Sequence, residues 1–102
     1  GQLDGGIHVG VGDHAILVED VPSACAVSCI PGYTGVALLG TKITNGIKSA
    51  LVKYKNITLI LDNDASGKAI IEASRLSNCK LRFTKLDLKS LTVQQIMGVL
   101  DG

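Results

Sequence analysis

Four short runs of β-forming apolar residues recur along this chain, one in every 20 to 25 residues or about that, and each is followed by a segment with helical periodicity. The runs are Ala15-Ile16-Leu17-Val18, Gly35-Val36-Ala37-Leu38-Leu39-Gly40, Ile57-Thr58-Leu59-Ile60-Leu61 and Leu81-Arg82-Phe83-Thr84-Lys85-Leu86. The first is continuous rather than alternating, as in a strand buried on both faces, and the third is the strongest strand signal of the four. Between and after them lie four helical segments. Ser23–Ser28 is capped by Asp20, with Pro22 in its first turn. A segment from Thr44 carries Ile47, Ala50, Leu51 and Tyr54 on one face, with Lys48, Lys53 and Lys55 on the other, and is closed by Asn56. A third opens at Ser66-Gly67 with Ala69, Ile70, Ala73 and Leu76. The last follows a Thr92/Gln95 capping box and carries Val93, Ile96, Met97 and Leu100. Strand and helix alternating four times predict one α/β domain: a Rossmann-like, parallel four-stranded sheet with helices on both faces.

Ahead of that pattern, residues 1–13 are expected to be an N-terminal extension or the end of a preceding domain, and 14–102 the α/β domain itself. Ile7-His8-Val9 reads as a short extended stretch before a turn at Gly12-Asp13. Aromatic residues are 3% of the chain, with one Phe and no Trp, which leaves almost nothing for a base-stacking platform. No apolar run approaches the roughly 18 residues of a membrane span. The three cysteines, Cys25, Cys29 and Cys79, fit no zinc-finger spacing and are expected to be small buried hydrophobes. His8 and His14 read as surface residues, Tyr33 as a turn residue and Tyr54 as helix packing. The expectation is a soluble, cytoplasmic domain with no membrane contact.

Open α/β sheets bind ligands at the carboxyl ends of their strands, where the strand order reverses. Two of the four runs end there in carboxylates: Glu19 after the first, Asp62 and Asp64 after the third. Residues two apart in extended chain point the same way, so Asp62 and Asp64 can aim at one point. With the common strand order 2-1-3-4 the first and third strands are neighbours and all three acids converge. Taken singly, each acid is an ordinary strand-end or capping residue. Three together repel unless a cation lies among them, and all-oxygen donors indicate a hard ion, magnesium first and manganese second. The chemistry implied is phosphoryl or nucleotidyl transfer.

Leu17-Val18-Glu19 at one strand end, with Leu61-Asp62-Asn63-Asp64-Ala65-Ser66-Gly67-Lys68 about forty residues later, resembles the Toprim domain of DNA primases, topoisomerases and nucleases. Val18-Glu19-Asp20 with Ser23-Ala24, then Leu38-Leu39-Gly40-Thr41, is most similar to the catalytic subdomain of primases of tailed bacteriophages. The resemblance covers residues 14 to 101 and implies that Glu19, Asp62 and Asp64 are the catalytic, metal-holding acids. With Mg2+ or Mn2+ they would join ribonucleoside triphosphates into a primer on a single-stranded DNA template. It further implies a host-cytoplasm location for a phage-encoded chain, and helicase or other replication proteins as partners through domains not contained here. The fragment alone would then be inactive or nearly so. Two departures stand out. Asp20 occupies a position where primases usually have Gly. Ser90 stands near Lys89, where many relatives carry a further Asp, and the nearest acid is Asp87.

Apart from Glu19, Asp20, Asp62 and Asp64, five acidic side chains face ten basic ones. Lys68, at the start of a helix where backbone amides are free, is the first candidate for nucleotide or DNA phosphate, and Lys42 the second. Lys48, Lys53 and Lys55 read as a solvated helix face. The alternatives are a Toprim nuclease or topoisomerase-type domain, a receiver-like signalling module, and a non-catalytic α/β module that binds partners. A receiver needs a fifth strand with a Lys near its end, for which the roughly 40 residues after Asp62 are too few, and it leaves Asp64 unexplained.

Overall fold

The computed structural model describes residues 6–38, 45–62, 79–84 and 88–101. The elements run β1 (Ile7–Val9), β2 (His14–Val18), α1 (Val21–Ser28), β3 (Tyr33–Ala37), α2 (Asn45–Leu51), β4 (Asn56–Asp62), β5 (Cys79–Thr84), a 3-10 turn (Leu88–Ser90) and α3 (Val93–Asp101). They build a mixed α/β fold around one sheet of order β1-β3-β2-β4-β5. The contacts β3/β2, β2/β4 and β4/β5 are parallel, so the four parallel strands lie β3-β2-β4-β5. The expected four-stranded sheet is corrected in count and order by β1, which adds antiparallel to the edge of β3 with Ile7 opposite Ala37 and Val9 opposite Gly35.

Both faces of the sheet are covered, as alternation along a buried strand requires. Ala15, Leu17, Ile57 and Leu59 meet Ile47 and Leu51 of α2 on one face. Ile16, Val18 and Ile60 meet Ala24 and Val27 of α1, and Ile96 and Leu100 of α3, on the other. Gly35 lets α1 lie directly on β3: a Cβ there would overlap the backbone of Ala24. Among the described residues no helix is long and apolar enough to cross a membrane.

Several expected boundaries move. β3 begins at Tyr33, straight after a turn in which Gly32 takes φ +89°, so Tyr33 is a strand residue. Asn56 opens β4 instead of closing α2, and α2 ends at Leu51, which leaves Lys53, Tyr54 and Lys55 in the connection. β5 starts two residues early, at Cys79, and ends at Thr84. On α3, Ile96 and Leu100 are buried, but Val93 and Met97 are each 43% exposed. The packed side is formed by Ile96, Leu100 and the partly buried Val99, and Val93 and Met97 stand on its flank. The Thr44 cap and the helix opening at Ser66-Gly67 lie outside the described residues.

Candidate site at the carboxyl edge of the sheet

β2 and β4 are hydrogen-bonded parallel neighbours, with Leu17 opposite Leu59. Glu19 follows Leu17 by two residues and Asp62 follows Leu59 by three, so both leave the sheet at its carboxyl edge, on strands about 4.8 Å apart. Glu19 is exposed beyond the buried run Ala15–Val18. Asp62 is the last residue of β4, its backbone paired with Thr84 of β5. Asp64, Lys68 and Lys42 lie outside the described residues. Among the described residues no three His, Cys, Asp or Glu gather as a metal set.

The turn that carries Glu19 is tightly held. The Leu38 N–H donates to the Val18 carbonyl at 2.8 Å, which ties the end of β2 to the chain leaving β3. Asp20 is the N-cap of α1, as its position before Pro22 predicts. Its backbone is extended (φ −129°, ψ 164°), and its Oδ1 accepts the Ser23 N–H at 2.9 Å.

Two polar pairs were not foreseen from the sequence, and the first lies at the opposite, amino edge. His14 is part-buried, with Nε2 2.7 Å from Thr58 Oγ1 and its ring 4.8 Å from that of Tyr33. Burial lowers its pKa, and the Lys80 charge lowers it further. His8 Nδ1 lies 2.7 Å from the Tyr54 hydroxyl, and the two rings stack. Burial raises the Tyr54 pKa, against a hydrogen bond with Thr34 that lowers it. Neither histidine is the free surface residue expected, because strands β1 and β2 bring each beside a hydroxyl 46 or 44 residues away. One signal was available: Thr58 is the only polar residue inside Ile57–Leu61, and a polar side chain in a buried run needs a partner.

The cysteines also differ from expectation. Cys25 and Cys29 are exposed on the last turn of α1, and Cys79 is half-buried, with burial raising its pKa. A hollow of about 350 Å³, lined by Gly10, Gly12, Asp13, Ser28, Gly32 and Tyr33 among others, opens at the same amino edge, away from Glu19 and Asp62. The two edges therefore differ: His14, Thr58, Tyr33, Asp13 and Lys80 lie at the amino edge, and Glu19 and Asp62 leave the sheet at the carboxyl edge. No curated protein and no solved structure matches the chain. The Toprim-like family model matches residues 19–96, a span that opens at Glu19, directly after β2, and takes in all of β4, and the chain therefore belongs to the Toprim-like family.

Proposed function

We propose that this chain is the catalytic Toprim subdomain of a DNA primase, joining ribonucleotides into a primer on single-stranded DNA. The observation that supports it most directly is the placement of Glu19 and Asp62 at one edge of two hydrogen-bonded parallel strands. Toprim domains generally bind divalent metals and occur in primases, nucleases and topoisomerases. The donors at this edge suit such an ion: carboxylate oxygens are what magnesium and manganese prefer, and the described residues bring no thiol or imidazole to it.

In this reading Glu19, Asp62 and Asp64 hold Mg2+ or Mn2+. Held there, such an ion would supply neutralisation of phosphate charge and activation of an attacking oxygen. The chain's own contribution is preorganisation. Glu19 is presented from an anchored turn, so its negative charge is in place before a nucleotide arrives. Asp62 is fixed by its position in the β4 ladder. Lys68 and Lys42 would meet the phosphates of nucleotide or template. Template, ribonucleoside triphosphates and a helicase or other replication protein are the partners this function requires, in the cytoplasm of a host cell for a phage-encoded chain.

The test is ribonucleotide incorporation on a single-stranded template by a primase containing this chain. Glu19→Gln should lower primer synthesis by at least about two orders of magnitude, the scale of losing a preorganised charge. Single-stranded DNA binding should change little, because lysines make those contacts. Near-normal primer yield would show that the acids are structural. Metal-dependent nicking without incorporation would assign the chain to the nucleases of the same family.

A further inference from the structure

We infer that Asp20 is a positioning residue for this site: by capping α1 it fixes the backbone that presents Glu19. The inference rests on the reading of Glu19 as a cation ligand, and it assigns a task to a residue that would otherwise be only an extra charge beside the site.

Glu19 lies between two anchored residues. Before it, the Val18 carbonyl accepts the Leu38 N–H at 2.8 Å. After it, the Asp20 Oδ1 accepts the Ser23 N–H at 2.9 Å, and the Asp20 carbonyl accepts the Ala24 N–H at 3.1 Å. Helix α1 cannot shift to relieve either bond, because Ala24 is fully buried and its backbone fills the space that a side chain at position 35 would need. The contacts close a ring: β3 to Ala24, through the first turn of α1 to Asp20, across Glu19 to Val18, and back through Leu38 to the end of β3. Glu19 sits within that ring, and it is exposed at the carboxyl edge.

Asp20 does this with a hydrogen-bond acceptor rather than with its charge. A second carboxylate next to a ligand would add repulsion in the metal-free state. Here it faces the amino end of α1, where unpaired N–H groups and the helix dipole favour negative charge. An Asn side chain keeps the acceptor oxygen and caps about as well, while Ala removes the cap. Charge and cap can therefore be separated.

The experiment is a Mg2+ titration of the 102-residue chain followed by amide NMR, for the wild type, Asp20→Asn, Asp20→Ala and Glu19→Gln. Asp20→Asn should keep Mg2+ affinity within about twofold of the wild type, whereas Asp20→Ala should weaken it about tenfold or more, the usual cost of losing a group that orients a ligand. In the metal-free chain Asp20→Ala should move the Glu19 amide resonance and Asp20→Asn should leave it in place. Equal weakening in Asp20→Asn and Glu19→Gln would overturn the inference, since charge would then be the operative property. Wild-type affinity in Asp20→Ala would overturn it as well. Should Asp20→Ala fail to fold, the Asn variant alone decides. Wild-type affinity in Glu19→Gln would instead overturn the metal reading, and the metal-free Glu19 amide would then judge the positioning role by itself.

Discussion

Gly35 carries only a hydrogen on the side of β3 that meets α1, and this absence of a side chain sets the distance between helix and sheet. Gly35→Ala would drive a methyl group into the Ala24 backbone, which cannot rotate away as a side-chain tip could. The expected loss is about 1–3 kcal/mol, the range for overpacking a close contact, read from urea unfolding. His14 gives a second residue-scale prediction. Burial first and Lys80 second hold its pKa below the ordinary 6.5, so the unfolded chain takes up this proton at a higher pH than the folded chain does. The stability carried by the neutral ring is therefore present above about pH 6.5 and is lost as the pH falls through the folded value. Urea midpoints between about pH 7 and 5 should fall for the wild type and fall less for His14→Gln. An identical slope in both would contradict the assignment. Legibility at this scale follows sequence distance. The Asp20 cap was readable because its partner is three residues away. The His14–Thr58 and His8–Tyr54 pairs were not, because only the assembled sheet brings their members together.

Helix α3 shows what an element owes to its ends and what it owes to the sheet. Its capping box is formed in both directions: the Gln95 N–H donates to Thr92 Oγ1 at 3.2 Å, and the Thr92 N–H donates to Gln95 Oε1 at 2.9 Å. At the other end Arg82 Nε donates to the Leu100 carbonyl at 3.2 Å, which ties the last turn to β5. Thr92→Ala should cost about 1 kcal/mol, seen as a lower thermal midpoint with an unchanged fold. Thr92→Ser, which keeps the hydroxyl, should recover most of it. An unchanged midpoint in the Ala variant would show that packing of Ile96 and Leu100 alone sets the start of this helix. Element type was legible in β2, where four apolar residues run in a row, and in β4, where Thr58 is the one interruption between Ile57 and Leu61. Ile7–Val9 was legible as a short extended stretch but not as a member of the sheet, and its pairing with β3 changed the strand count. The flank positions of α3 were misjudged for a related reason: periodicity gives the direction of the buried stripe but not its width, which the neighbouring elements decide.

At the scale of the whole molecule the parallel order of the sheet determines which strand ends meet. Glu19 and Asp62 are more than forty residues apart in sequence, yet β2 and β4 adjoin, so both chains leave the sheet at the same edge. That juxtaposition was legible from two apolar runs ending in acids together with the preference of α/β chains for parallel neighbours. The central claim is that this edge is a cation site. The most direct test is a Mg2+ titration of the wild-type chain, mapping every amide that shifts. Saturable shifts confined to the amides around Glu19, Asp62 and Asp64, with His14, Thr58 and Tyr33 at the opposite edge unmoved, are the predicted result. Absence of saturable shifts at Glu19 and Asp62, or shifts centred on the amino edge, would contradict it.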